Sequence, residues 1–476
     1  MLEKLGKPVV LVVTDNFAHD AKSSAEDNGM PTLRIVTVPA DQYYKRRVSQ
    51  EEVKPVAVNA LNPIIDALTR PLTKAEANPK PKEINAASSI KIMAETHELA
   101  LWKFNAMYLD NHWADGLPLL PPTPDRVKWM LKGTSRSPRE VIGTVAPKNG
   151  VATIEKIAIN AVMAGAKPEY LPVIIAAMEG LTDKDYDLLH VVASTGSFSL
   201  AIIVTGPIAK EIKMNSGIGF LGYGWQANAS IGRAVRLSLI NTGHLWPAEN
   251  DMALVGRASS YTFQTFAENE ENNPWKPYHV SLGFKPEDSC VTVSTVDSGF
   301  SGLLPAPVFG GGAVRPWTTD GIMDRIIKFI STNREGMTTW RRGTAIPSPM
   351  KYVLMFHPEF ALELNRRNFD REKLQKYFYE RTFVPYEELS PKEVESIKRR
   401  VDAGEVPADR VALFKEGLKP GGKIPLLNKP EDIHIIVAGG IPGYTFGMHY
   451  FAEGPYKPIS HLTKLIRGAT LTQAGR

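Results

Sequence analysis

The chain has 476 residues and a formal net charge of +5, with 43% apolar and 22% charged residues. At roughly 100–200 residues per domain this is a soluble globular chain of several domains, with ample length for a core. Charge is scattered: "KRR" at 45–47, "RR" at 341–342 and "IKRR" at 397–400 read as solvated surface, so nucleic acid is excluded as a partner.

The lone cysteine, Cys290, excludes an intrachain disulfide, a multi-cysteine metal site and an internal CxxC pair. It fits a reducing compartment, and a cytoplasmic location is expected. No run approaches the roughly 20 apolar residues a membrane helix needs. The N-terminal run "VVLVV" at 9–13 is too short for a signal peptide's apolar region and reads as a strand.

In chain order, residues 9–39 predict strand, helix, strand. The helix starts at Thr14 or Asp15 and stops at Gly29, and the order implies a right-handed parallel crossover. Residues 56–68 predict another helix, and the Pro/Lys/Ala-rich residues 71–87 read as a linker. Residues 88–111 predict a helix or helix pair. A helix from Thr123 or Pro124 to Gly133 follows, then two helices broken at Gly165 and resumed near Pro168.

Three apolar strands then end in Pro- or Gly-containing turns: "SLAIIVTGP", "KYVLMFHP" and "IHIIVAGG". The expected fold is α/β: a small N-terminal parallel unit (1–70), the linker, a central domain (88–346) and a C-terminal portion (347–476), with pseudo-repeated strand–turn–helix units.

The stretch "NSGIGFLGYGWQANASIGRAVRLSLINTG" places Gly217, Gly219, Gly222 and Gly224 ahead of a helix that Asn228 or Ser230 would cap. Its spacing is neither GxGxxG nor GxxxxGK[ST]. Arg233 and Arg236 in the early turns oppose the helix dipole unless the loop holds an anion. Gly222, Gly224, Asn228, Ser230 and Arg233 are therefore the candidate anion-binding residues; a packing loop with surface arginines is the alternative.

In "FAENEENNPWKPYH", Glu268, Glu270 and His279 are candidates for proton transfer or metal binding, against the plainer reading of a polar turn. His112 and Asp115 in "NHWADGLPLLPP" are second candidates or a structural corner. "STGS" at 194–197 is not a GxSxG elbow. Glycine turns at 309–317, with Arg315, and at 437–450, with His449, mark further strand ends where α/β sheets bind ligands. Cys290 in "EDSCVTVST" reads as a buried strand residue.

"GKPVVLVVTDNFAHDAKSSAEDNGMPTLRIVTVP" resembles the α/β domain of the UGSC-type (seleno)protein family. "DGLPLLPPT", "IAINAVMAGAKPEYLPV", "VTGPIAKEIKMNSGIGFLGYGWQANASIGRA" and "FAENEENNPWKPYHV" resemble the larger region associated with it. The resemblance implies thiol or selenol redox chemistry, yet no UGSC or CGSC motif is present in this sequence.

Either a separate small subunit carries the Cys or Sec, or the thiol route is lost. The leading expectation is a hetero-oligomeric enzyme subunit acting on a small, anionic molecule, by reductive or lyase-type carbon–heteroatom cleavage with the partner's nucleophile. A self-contained, metal-assisted hydrolase, hydratase or lyase and a non-catalytic scaffold are the alternatives. The sequence names neither cofactor nor metal.

Overall fold

The computed structural model describes residues 8–27, 30–40, 48–78, 89–254, 256–257, 259, 261–296, 301–303, 318–332, 350–406, 408–427, 429–441, 446–452 and 461–470. The expected glycine turn at 309–317, with Arg315, and the basic stretches at 45–47 and 341–342 lie outside the described residues, as does the side chain of His449.

The N-terminal unit is the expected crossover. β1 (Val10–Thr14) and β2 (Arg34–Val38) pair in parallel through helix α1 (Ala18–Asp27). Helix α2 (Gln50–Thr69) opens ahead of the expected start at Val56, because Ser49 and Glu52 form a capping box that satisfies its first amides. One face of α2 buries Ala60 and Ala67, while another leaves Val58, Leu61, Ile65 and Leu68 in solvent.

The first part of the expected linker is fastened to this unit. Residues Lys74–Ala77 form a short helical turn. Arg34 Nε and Arg70 Nη2 each lie 3.0 Å from Glu76 Oε1. Hydrogen bonds from Arg34 first, then from the Thr73 amide and Arg70, hold the Glu76 carboxyl well below the usual carboxylate range.

Helix α3 (His97–Asp110) starts later than the expected residue 88, where Thr96 accepts from the Leu99 amide. α4 (Pro124–Met130) begins with proline as its first residue, a position whose missing N–H costs no bond. The hairpin β3 (Val141–Val145) and β4 (Gly150–Thr153) leads into α5 (Ile154–Met163), α6 (Leu171–Leu181) and α7 (Leu188–Ala193).

Two mixed four-stranded sheets follow. The first half runs β5 (Ser199–Thr205), α8 (Gln226–Gly243), β6 (Gln264–Ala267), β7 (Cys290–Val296) and β8 (Ser301–Leu303). The second runs α9 (Thr319–Thr332), β9 (Met350–Phe356), α10 (Pro358–Arg366), α11 (Arg371–Arg381), β10 (Phe383–Pro385), α12 (Pro391–Asp402), α13 (Val411–Gly417), β11 (Lys423–Pro425), β12 (Ile433–Val437), β13 (Phe446–Ala452) and β14 (His461–Leu465).

The sheet orders are β6-β5-β7-β14 and β12-β9-β13-β8. Each has a parallel neighbour, a central strand, an antiparallel neighbour and an antiparallel edge. The halves match even at a strand end: the Glu268 amide bonds the Val204 carbonyl, as the Ala438 amide bonds that of Phe356. The repeat expected from the strand–turn units is thus present in the topology.

The edge strands are exchanged. β8 follows β7 but joins the second sheet, and β14 follows β13 but joins the first. A division at 346/347 therefore does not separate two independent sheets.

The layers are helix, sheet, sheet, helix. Leu200, Ile202 and Val204 of β5 pack with α5, α6 and α8. Ala201 and Ile203 on the opposite face of β5 pack with Val353, Met355 and Ile436 of the other sheet. Leu354, Phe356 and Ile435 face α9 to α13. Strands covered on both faces read as continuous apolar runs, which is how β5 and β12 appear in the sequence.

Candidate functional site

The carboxyl ends of β5, β6 and β12 meet at one edge. The Asn269 amide donates to Val437 O at 2.7 Å, and Asn269 Nδ2 donates to Gly439 O at 2.9 Å. The Gly439 amide donates to Ser216 O at 2.8 Å, bringing in the glycine-rich loop. This is the edge at which open α/β sheets bind ligands.

Glu268 follows β6 directly and its side chain is fully enclosed. The Tyr278 amide donates to its Oε2 at 2.6 Å, Asn273 Nδ2 to its Oε1 at 2.9 Å, and Arg371 Nη2 lies 3.3 Å from Oε1. Burial nevertheless dominates and pushes the carboxyl up to about 7; the Arg371 charge and the Tyr278 amide oppose it, and Glu270 adds to it. A carboxyl that changes protonation near neutrality is suited to general acid–base work.

Glu270 keeps part of its carboxylate in solvent. Its Oε1 accepts from the Gly206 amide at 2.6 Å and lies 3.6 Å from Nδ1 of the fully buried His279. Gly206 has φ +90°, and a β-carbon there would run into the Asp288 carbonyl, so only glycine leaves that amide aimed at Glu270. The three expected proton-transfer residues, Glu268, Glu270 and His279, therefore stand together. Glu268 is a buried titratable carboxyl, Glu270 faces outward, and His279 backs it.

The second pair of candidates lies elsewhere. His112 Nδ1 is 2.8 Å from Glu249 Oε1, and its ring stacks on Trp246 with centroids 4.1 Å apart. Asp115 receives Arg233 through two hydrogen bonds, Nε to Oδ2 at 2.8 Å and Nη2 to Oδ1 at 2.9 Å. Arg233 Nη2 also donates to the carbonyls of Leu117 and Pro118.

Three residues of the expected anion clamp, Arg233, Asn228 and Ser230, are engaged within the protein. Arg233 is taken up by the 115–118 corner. Helix α8 opens at Gln226 behind Trp225, so Asn228 and Ser230 lie inside it instead of capping it, and Arg233 is about two turns in. Asn228 is a clamp for the loop: Nδ2 reaches the carbonyls of Asn215, Phe220 and Thr265, and Oδ1 accepts from the Asn215 amide. Ser230 Oγ donates back to Gln226 O.

Arg236 is buried over the Phe263 ring, where burial lowers it to about 10. Gly222 and Gly224 sit in the loop's exposed tip, beside Tyr223 and Trp225.

Cys290 is fully buried, and burial, with Asp288 and Glu270 adding to it, pushes its thiol up to about 12. It presents no thiolate at neutral pH. Among the described residues no cluster of three or more His, Cys, Asp or Glu side chains is placed to hold a metal, and no helix is long and apolar enough to cross a membrane.

Four polar residues escaped the sequence reading because they come from separate elements. Arg371 opens α11, His434 lies on β12, His461 starts β14, and Tyr278 follows the Glu268 turn. Tyr278 Oη lies 2.8 Å from His434 Nδ1 and 2.6 Å from His461 Nε2. Only the glycine turn after β12 and the histidines themselves were visible signals. His357, at the end of β9, packs beside Gly439, and burial lowers its imidazole.

No curated protein and no solved structure gives a significant match to the chain. Residues 1–70 match the family model of the UGSC family, and through that segment, whose parallel α/β unit has just been described, the chain resembles the UGSC family.

Proposed function

We propose that this chain is a subunit of a cytosolic enzyme that performs acid–base chemistry on a small, anionic molecule at the carboxyl ends of β5, β6 and β12. The reaction class is reductive or lyase-type cleavage of a carbon–heteroatom bond, with the thiol or selenol nucleophile on a partner chain.

The observation that carries the reading is the enclosed Glu268 carboxyl, raised by its burial, beside Glu270, which faces outward with the buried His279 behind it at 3.6 Å. A leaving heteroatom needs a proton at that moment, and a carboxyl with this protonation range can give one.

Three further features support the particulars. Cys290 is the chain's only cysteine and is sealed in β7, so a sulfur nucleophile has to arrive from outside. Among the described residues the N-terminal unit pairs only two strands, leaving backbone edges for another strand. Next to them α2 leaves Val58, Leu61, Ile65 and Leu68 uncovered, an apolar face suited to a partner. The start of α8, where no side chain caps the first amides, supports an anionic substrate.

Affinity purification of the full chain from its native cells tests the proposal. A stoichiometric small partner bearing a reactive Cys or Sec is expected, with turnover only in the complex and lost in Glu268→Gln. Turnover by the isolated chain would overturn the partner requirement. Full turnover by the Glu268→Gln complex would overturn the acid–base assignment.

A further inference from the structure

The glycine-rich loop lies on the turn that follows β12, and one of its side chains is set apart from the others. Every residue from Ile218 to Gln226 is exposed except Phe220. The Phe220 ring enters the layer between the two sheets and meets Phe266 of β6 edge to face, with centroids 5.1 Å apart.

Two glycines of the β12 turn receive the loop. A β-carbon on Gly440 would fall onto Ile218 Cγ1, and one on Gly439 would stand 3.9 Å from Phe220 Cε1. That second point is also 3.2 Å from Cδ2 and 3.8 Å from Nε2 of His357, so one edge of the imidazole and the Phe220 ring both border Gly439.

No described residue hydrogen-bonds either ring nitrogen of His357, and Nδ1 is sealed from solvent. Burial, opposed by the Glu359 charge, keeps this imidazole below its ordinary value, so at neutral pH it carries one N–H. A sealed N–H without an acceptor costs more than a sealed lone pair. The hydrogen therefore belongs on Nε2, at the Gly439 edge.

The loop can release the Phe220 ring and keep its base. Asn228 Nδ2 has two hydrogens and reaches three carbonyls, those of Asn215 at 3.0 Å, Thr265 at 3.1 Å and Phe220 at 3.2 Å. Letting go of the Phe220 carbonyl leaves both hydrogens bonded. The Gly439 amide on Ser216 O holds the start of the loop. Gly219 (φ +71°) and Gly224 (φ +97°) flank the ring, and no atom lies within 4 Å of where a β-carbon would sit on either. These glycines answer to backbone freedom and not to close packing.

We propose that Phe220 is the gate of a ligand subsite floored by Gly439 and walled by His357, which takes a ring-sized apolar group carrying a hydrogen-bond acceptor, an aromatic carboxylate in its simplest form.

The phenyl ring swings out, and the ring of the ligand takes its place beside Phe266, restoring the apolar burial that the loop gives up. The carboxylate accepts from His357 Nε2–H. The subsite lies at the edge proposed for catalysis but does not rest on that reading. Binding is measured without turnover, so its failure would leave the acid–base reading of Glu268 standing.

The test uses the full chain with Phe220 replaced by para-fluorophenylalanine, benzoate as the probe and fluorine NMR as the readout. Benzoate is expected to move the resonance saturably towards its position in the denatured chain. Acetate, which has the carboxylate without the ring, should leave it in place. In calorimetric titrations Phe220→Ala, with no ring to displace, should bind benzoate about tenfold more tightly than the wild type. Adding His357→Leu to that variant should weaken binding about tenfold, for the lost hydrogen bond to a charged group.

A resonance that keeps its buried position at every benzoate concentration would overturn the gate, and so would equal affinity in the wild type and Phe220→Ala. An acetate shift equal to that of benzoate would overturn the ring-sized subsite. Equal affinity with and without the His357 imidazole would overturn its place in the wall. The fluorine titration stands even where a variant does not fold.

Discussion

Arg233 and Asp115, set 118 positions apart in the chain, face each other through a two-pronged ion pair, with Nε–Oδ2 and Nη2–Oδ1 at 2.8 and 2.9 Å. The sequence placed them in different roles, one holding an anion and one moving a proton. The fold makes each the other's partner and ties the 111–118 corner to helix α8.

Removing one member of such a shielded pair strands the other. Arg233→Ala is expected to lower the unfolding free energy by about 3 kcal/mol, read by denaturant titration. The Asp115→Asn/Arg233→Ala double variant should lose less than the sum of the two singles. Unchanged stability in Arg233→Ala, with substrate affinity abolished, would restore the anion-clamp reading.

Glu268 sets a pH dependence. Its folded carboxyl titrates at about 7, above the ordinary 4.5. Between these values the unfolded chain releases a proton that the folded chain keeps, so stability falls as the pH rises through this window and levels off above it. The full effect is about 3 kcal/mol. Glu268→Gln, which keeps the neutral shape, should flatten this slope in unfolding curves at pH 5 and 8. A slope equal to that of the wild type would rule out the assigned titration.

The catalytic reading makes a separate claim on the same residue and its neighbour. Glu268→Gln is expected to cost about 10²–10³-fold in kcat and to remove the limb of the pH–rate profile near 7. Glu270→Gln should reduce kcat while leaving that limb in place. Loss of the limb in Glu270→Gln instead would exchange the two roles.

Cys290 should be silent. Thiol reagents are expected not to modify the native chain at pH 7.5 and to modify one thiol after denaturation. Cys290→Ala should retain turnover in the complex and lose about 1–2 kcal/mol of stability, for the small cavity it leaves. Rapid native labelling would show a thiol far more accessible than its place in β7 allows.

Gly232 separates helix propensity from packing. Alanine is the better helix former by about 1 kcal/mol. A β-carbon here, though, would fall onto the Thr262 carbonyl and crowd Thr265 Oγ1. Gly232→Ala is expected to be destabilising overall, by about 1–2 kcal/mol. A rise in Tm would show that the 262–265 segment yields.

Much of the local architecture is dictated by residues that are neighbours in the chain. The alternation of strand, turn and helix in 9–39, the buried strands β5, β9 and β12, the proline-started helix α4 and the sealed strand cysteine all follow from local apolar runs, turn residues and capping chemistry. The grouping of Glu268, Glu270 and His279 was legible for the same reason, since one turn holds all three.

Which distant elements meet is set by the packing of the folded chain. The exchanged edge strands β8 and β14, the union of the two halves through Asn269 and Gly439, the capture of Arg233 by Asp115, and the approach of His434 and His461 to one phenol each join segments far apart in the chain. Local pattern carries a residue's preference for helix or strand and for inside or outside. It carries no record of its neighbour across a sheet, because that contact exists only once two sheets have packed face to face and excluded the water between them.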